Sequence, residues 1–540
     1  MTTDSTDFAS ALSHLNSFDA LTNEHAQAFL TTWPLDAWFR ELSGPHVPAS
    51  LVDTATQAFA RIFATEYGAS LLPSIPPYAS AALQSPSALL RRLAVQQLGR
   101  LLVAPAPQSQ EACLDLLLSA LQDADVGVAS VSEAALRQLG RPEAASQQRL
   151  PLLLSRQHPC GSQLAQLAGS ADPVLRMRAL TLMLALAAQS PAAGQVVQGS
   201  GLLQPLLQEL QDPDDLLSCM AALQLLHDAA QQCDAAMAAS LAHVVMHYLA
   251  ALLVHPEPVL QGGALKAAAS LLGASLQAGA APMAVDGAVL ANGAAGAAAA
   301  DPLVAALKAV LDVGGVEEVA QEVEEAALDA VAILGLHAPG AEALLSHPAG
   351  VAGDVAHKAL GRPPSPAQRI AALHALAAVS GAERSGRSGK LLCEEAEDAL
   401  REAVFEGSAA AWVGATPVQV LQQQLEQPFL EQRVAVYRCL VALAARDWLA
   451  GAVCGHTHLL AFLLNPQSES SKQGCEWRHA CVCALAATIA DVAAGGIGAG
   501  GAHQAALMDA ASSVQAAVRV GPYGSSSTGV AEPLVATMPA

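Results

Sequence analysis

Aromatic residues are scarce in this chain: Phe, Trp and Tyr together make up 4% of 540 residues. Strands favour aromatic and β-branched residues, so an all-β architecture is disfavoured from the start. Charge is also sparse, at 14% of residues, where a typical globular chain carries about 25%. Basic residues are the scarcer sign: 26 Lys and Arg against 48 Asp and Glu give a net charge of −22. A general nucleic-acid binder needs a basic face to displace counterions, and a polybasic membrane-surface protein needs a basic cluster. Neither nucleic acid nor membrane is therefore an expected partner. Ten cysteines are too dilute for a disulfide scaffold and read as reduced thiols in a cytosolic or nuclear protein. The opening MTTDSTDFASALSHL has no basic region ahead of an apolar core, so no secretory signal is expected. Long apolar runs are missing too. Leu241–Val254 falls short of the ~20 residues of a span and holds His243 and His247. The Ala-rich stretch 285–300 holds Asp286 and Asn292.

What is present is Ala, Leu and Val, within a chain that is 53% hydrophobic. Ala and Leu lead the helix-propensity ranking. A small or acidic residue followed by Pro recurs ahead of apolar runs: Ser85-Pro86, Asp172-Pro173, Asp212-Pro213, Asp301-Pro302 and Ser365-Pro366. Ser or Asp caps the free N–H groups of a first helical turn, and Pro fits the first helical position. Behind these signals apolar residues step by three and four, as in Val174, Met177, Leu180 and Leu184. A second helical run, such as Cys113–Leu121 or Leu202–Leu210, precedes several of them. The helices that open near residues 86, 125, 173, 213 and 256 recur at intervals near the roughly 40–47 residues of armadillo and HEAT repeats. The expected fold is all-α, an α-solenoid of armadillo/HEAT-like repeats in which each pair of helices packs on its neighbours.

The expected organisation is an irregular helical cap over 1–84, with Trp33, Trp38 and Phe39 close together, and a repeat array over 85–493. The array carries a low-complexity Ala/Gly insert at 273–300 and a Gly/Ser loop at 380–390. A Gly-rich break and a final helix fill 494–520, and a Pro/Gly/Ser-rich tail fills 521–540.

Catalytic signals are poor. Gly496–Gly501 matches GxGxxG by spacing but lacks the preceding strand and following acid of a dinucleotide site, so a linker is expected. Lys390 lacks the context of a P-loop, and neither HExxH nor GxSxG occurs. Cys454, His456, His458, Cys475, His479, Cys481 and Cys483 lie close in sequence but contain no CxxC pair. Buried thiols and surface histidines are expected there, not a metal site. No cofactor and no catalytic residue is implied.

Basic residues gather on the second helices: Arg91, Arg92, Arg100, Arg137, Arg176, Arg178, Lys266, Arg369, Arg433 and Arg438. One reading is a positive band gripping an acidic partner, with Arg176, Arg178, Arg433, Tyr437 and Arg438 as the partner-binding residues. The plainer reading pairs these arginines with carboxylates of neighbouring turns, such as Asp172 or Glu431, and charge runs are more often of that structural kind. Glu317, Glu318, Glu322, Glu324 and Glu325 pose the same choice. Trp412, Phe429, Tyr437 and Trp448 could anchor a partner, but core packing is the preferred role in so aromatic-poor a chain.

Several stretches in order, namely QGSGLLQPLLQEL at 198–210, DAVAILG at 329–335, QPF at 427–429 leading through RVAVYRCLVALAARDW to Trp448, and Gly521-Pro522-Tyr523, resemble the 26S proteasome non-ATPase regulatory subunit 5 family of assembly chaperones. The resemblance runs from about residue 85 onward, and the Ala/Gly insert departs from it. It implies a non-enzymatic, helical scaffold that holds a base ATPase subunit by its C-terminal region, together with associated base subunits, and leaves before the regulatory particle is complete. It also implies a cytoplasmic and nuclear protein, monomeric when free. The alternative is a generic armadillo/HEAT adaptor. A transport-type array would repeat Trp and Asn on its inner helices, and here Trp is scattered and Asn very rare. A metal- or nucleotide-dependent enzyme is the third reading.

Overall fold

A computed structural model describes the chain except residues 1–4, 43–46, 104–109, 141–149, 190, 200, 277–293, 314–317, 363–364, 496–501 and 525–540. Among the described residues every regular element is a helix. The chain divides into two compact units, Met1–Met237 and Ala238–Ala540. Each is built from helices that stack directly on one another along the sequence.

In the first unit four stacking helices follow in order: α1 (Ala88–Val103), α2 (Val126–Arg137), α3 (Pro173–Gln189) and α4 (Leu216–Gln232). Each packs on the next, and shorter helices such as Gln110–Leu121 and Pro159–Ala168 cover them. In the second unit the same arrangement runs through α5 (Pro258–Ser275), α6 (Glu318–Gly335), α7 (Pro366–Val379), α8 (Leu430–Leu443) and α9 (Lys472–Ala493). A last helix, Ala502–Val520, packs on α9. These are the helix pairs of an α-solenoid. The stacking helices are apolar on more than one face because each is enclosed by neighbours. Leu182 to Ala188 of α3 are buried without interruption, as are Ala267 to Ala269 of α5. Ala and Gly let backbones approach closely. A Cβ on Gly335 would stand 2.7 Å from the amide nitrogen of Val379, so α6 and α7 touch there through backbone.

The cap signals work where the side chain meets the first turn. Asp172 accepts from the amide of Val174 at 2.9 Å, and Ser365 from that of Gln368 at 3.2 Å. Three signals act otherwise. Ser85-Pro86 stands ahead of α1, which starts at Ala88, and it is Ser87 that accepts from the amide of Leu90 at 3.5 Å. Asp212-Pro213 does not open a helix; α4 starts at Leu216, and Asp215 caps it by accepting from Ser218 at 3.2 Å. Asp301-Pro302 lies inside helix Ala294–Val313, because the Ala run upstream is itself helical. Thr416-Pro417, not singled out from sequence, makes a full capping box with Gln419.

The expected insert at 273–300 overlaps helices at both of its ends. Residues 273–275 belong to α5 and 294–300 to the next helix, while 277–293 lie outside the described residues. The 380–390 segment is not a plain loop. It holds a short helix, Gly386–Lys390, pinned by basic side chains: Arg384 donates to the Val379 carbonyl at 2.5 Å and Lys390 to that of Gly381 at 3.1 Å. Of the expected tail, residues 521–524 are described and anchored. Arg478, fully buried in α9, donates to the Pro522 carbonyl at 2.8 Å, and the Tyr523 hydroxyl donates to Glu476 at 2.7 Å. Residues 525–540 and the glycines 496–501 lie outside the described residues.

At the N-terminus, Trp38 is fully buried with ring centroids 5.1 Å from Phe8 and 3.9 Å from Phe59. Its Nε1 donates to the Trp33 carbonyl at 2.9 Å. The side chain of Phe39 is outside the described residues. Helix Ala235–Leu252 has the length and composition of a membrane span. Its buried Leu241, Val245 and Leu249 repeat every four residues while His243 and His247 are exposed, the pattern of a helix packed on one side.

Candidate partner surface

The five residues expected to touch a partner all have partners within the chain. Arg433 meets Glu469 through Nε at 2.9 Å and Nη2 at 3.1 Å. Its Nη1 reaches back to the carbonyls of Gln427 at 3.0 Å and Pro428 at 2.9 Å. Tyr437, one turn on, is fully buried and donates to the same carboxylate at 2.8 Å. Burial and that acid push the phenol above its ordinary range. A side chain so enclosed presents no surface to another protein.

Arg176 is built the same way, with Nη1 on the Ser170 carbonyl at 2.8 Å and an ion pair to Glu209. So is Arg91, whose Nη1 reaches Ser85 at 2.9 Å while Nε and Nη2 grip Asp123 at 2.7 and 2.9 Å. Hydrogen bonding to Arg91 holds the Asp123 carboxyl below the usual range. Three times, then, an arginine in the second turn of a stacking helix hooks a carbonyl six residues earlier and pairs with an acid. In Arg91 and Arg433 that acid lies in the loop ahead of the next stacking helix. We call this an arginine staple. It fixes the incoming loop and the register of the following repeat in one device. Sequence does carry it, as SPSALLR, SADPVLR and QPFLEQR, each ending on the arginine.

The remaining two serve related ends. Arg178 donates to the carbonyls of Leu121 at 3.0 Å and Asp123 at 2.9 Å, joining α3 to the loop ahead of α2. Arg438 pairs with Glu383 and contacts Nδ1 of His374, whose basicity burial and this arginine lower. Two further buried networks were not picked out from sequence. Arg446 meets Glu397 at 2.8 Å and the carbonyls of Ser380 and Lys390 at 2.6 and 2.7 Å. Glu324, from the acidic patch, is buried between Lys358 at 2.7 Å and Gln368 at 2.8 Å. Glu322 is exposed, and Glu317 lies outside the described residues.

The cysteine–histidine cluster disperses. Cys481 contacts the Tyr437 carbonyl at 3.4 Å, Cys475 that of Glu469 at 3.4 Å, and Cys483 lies 3.5 Å from His479. Among the described residues no group of three or more His, Cys, Asp or Glu is placed to hold a metal ion.

What faces solvent is different. Between helices Pro417–Leu425 and Thr457–Leu464 runs a groove of about 300 Å³ lined by Gln422, Leu425, Glu426, His458, Phe462 and Asn465. It adjoins a second hollow of about 220 Å³ under the half-buried Trp412, with Gln419 and Gln423. Phe429, 64% exposed, follows in the chain. Side-chain amides both donate and accept, and aromatics supply contact area, so this groove suits a protein surface. Trp448 is half-buried against Phe405 with ring centroids 5.6 Å apart.

Comparison with known proteins bears on the first unit and the opening residues of the second. Residues 20–257 match the model of a family described as "Proteasome non-ATPase 26S subunit". The match links this part of the chain to proteasome subunits of that kind. It starts well before residue 85 and takes in the 198–210 motif, while the motifs at 329–335, 427–448 and 521–523 lie beyond it. No curated protein matches the chain. Two engineered proteins of known crystal structure are similar, each 17% identical. One covers 82% of this chain and 98% of its own length with a TM-score of 0.41. The other covers 52% and 95% with a TM-score of 0.33.

Proposed function

We propose that the chain is a non-catalytic assembly chaperone for the base of the 26S proteasome regulatory particle. It binds the C-terminal region of a base ATPase subunit stoichiometrically and departs before the particle is complete. The family match over residues 20–257 carries this reading. The stacked helices support it, because they give a preformed scaffold whose ordering costs little on binding. The groove beside Trp412 offers a surface of the right character in the second unit. On this reading the protein works in the cytoplasm and nucleus, is a monomer when free, and needs no cofactor.

The test is co-purification of the tagged full-length protein from its own cells, resolved on a native gel. Base ATPases recovered without the complete 26S particle are the expected result. Other partners with no ATPase would overturn the chaperone reading in favour of an adaptor.

A further inference from the structure

We infer that one edge of the first unit is a docking strip for an extended, cationic and aliphatic segment of a protein partner. Four large aliphatic residues stand in solvent there: Leu89 at 43%, Val126 at 71%, Val174 at 55% and Leu217 at 78% exposure. Each is the first or second residue of a successive stacking helix, α1 to α4. A helix needs no apolar side chain at that position, which more often carries a polar or acidic residue. Four in register is a repeated feature of the fold.

The register is physical as well as sequential. Arg91, in the first turns of α1, grips Asp123 just ahead of α2, and Arg178 of α3 binds the carbonyls of Leu121 and Asp123. Arg176 of α3 reaches the Ser218 hydroxyl in the first turn of α4 at 3.4 Å. The guanidinium of Arg92 covers Gly127, where a Cβ would stand 1.7 Å from Nη2. The N-terminal ends of the four helices therefore sit side by side, one aliphatic residue per repeat.

Packed helices lie about 8–10 Å apart. A polyproline-type extended chain advances ~3.1 Å per residue with three residues per turn, or about 9 Å per turn. Every third side chain of such a segment falls on one face and meets one repeat, and about ten residues span the strip. Charge names the rest of the occupant. Asp172, Asp212 and Asp214 are exposed in the loops leading into α3 and α4, and the half-buried Asp125 directly precedes α2. Lysine or arginine between the aliphatic positions complements them. The occupant is a segment of another protein. Of the chain's own segments outside the described residues, only 277–293 and 525–540 are long enough to span the strip, and neither contains lysine or arginine. All four aliphatic residues lie within the family-matched region. The inference rests on the chain being a binding scaffold, and not on which client it serves.

The test is fluorescence anisotropy of a labelled twelve-residue peptide, leucine at every third position with lysine between, against the full-length chain. Saturable binding is expected. It should weaken about tenfold for Val126→Ser and again for Leu217→Ser, by the loss of apolar contact. It should also fall with rising salt. Both residues are exposed, so the variants should retain the parent's melting curve, and that is checked alongside. Equal binding of a glutamate-for-lysine peptide, or unchanged binding to the double variant, overturns the strip. A self-associated dimer dissolved by Leu217→Ser, with no peptide binding, overturns it too. Co-purification of base ATPases is scored separately: its failure with intact peptide binding sinks the client and leaves the strip, and the converse sinks the strip alone.

Discussion

Replacing Arg433 by Ala is the most searching perturbation of the staple. The Glu469 side chain is buried, and its carboxylate accepts three hydrogen bonds, two from Arg433 and one from Tyr437. The variant leaves that carboxylate with a single donor and strips the Gln427 and Pro428 carbonyls of theirs. Breaking one side of a buried ion pair costs about 3–5 kcal/mol. Arg433 keeps some solvent contact, with 15% of its side chain exposed, so the low end, about 3 kcal/mol, is expected. In a stacked array each repeat contacts mainly its neighbours, so the loss is local and a single melting temperature reports it poorly. Hydrogen exchange is the assay. Amides of α8 and α9 should exchange on the order of 100-fold faster, at about 1.4 kcal/mol per tenfold, while α1–α4 hold their protection. Tyr437→Phe should cost about 1 kcal/mol, because the arginine still satisfies the acid. Replacing Arg433 and Glu469 by Met together with Tyr437→Phe should recover most of the protection, since no charge is then left buried alone. A change below threefold in Arg433→Ala, or an equal loss throughout the chain, would refute the staple as the device that fixes α9 against α8.

Other outcomes follow from the packing. Gly407→Ala would put a Cβ 2.5 Å from the Ala356 carbonyl, forcing helices Glu394–Ala409 and Val351–Leu360 apart; about 1–3 kcal/mol of destabilisation is expected in denaturant unfolding. In the folded chain iodoacetamide should modify the exposed Cys393 well before Cys439 and Cys160, whose thiols burial pushes up to about 12; mass spectrometry of the alkylated peptides checks this. Burial lowers the basicity of His337, His374 and His479, and Arg384, Arg438 and Arg478 add to it respectively. Below the unfolded value near 6.5 the unfolded chain binds more protons than the folded one, so stability should rise with pH over that range and be lost as pH falls toward 5. His374→Gln should flatten that slope in urea midpoints measured from pH 7 to 5.

Much of the architecture is a one-dimensional property, and such properties are legible in sequence. Helix identity follows from Ala and Leu content and from apolar steps of three and four. The stacking helices expected near residues 86, 125, 173, 213 and 256 open at Ala88, Val126, Pro173, Leu216 and Pro258, because caps and prolines act within a few residues of themselves. The short sequence signals of the staples are equally present, as SPSALLR and QPFLEQR; the preferred reading of their arginines, as ion-paired within the array, gives the role but not the acid, since Arg176 pairs with Glu209 and Arg433 with Glu469 in place of Asp172 and Glu431. What tertiary structure alone decided is where each charge ends. Asp123 lies 32 residues from Arg91, and Glu469 lies 36 from Arg433, and no local rule selects one carboxylate among 48 acids. The same holds for the solvent-facing edge. Val126 and Leu217 look like core residues in sequence, since apolar character signals burial on average. Only the stacking of α1 to α4 shows that the first turns of these helices end in solvent, aligned, with none of the described residues of the first unit folded over them.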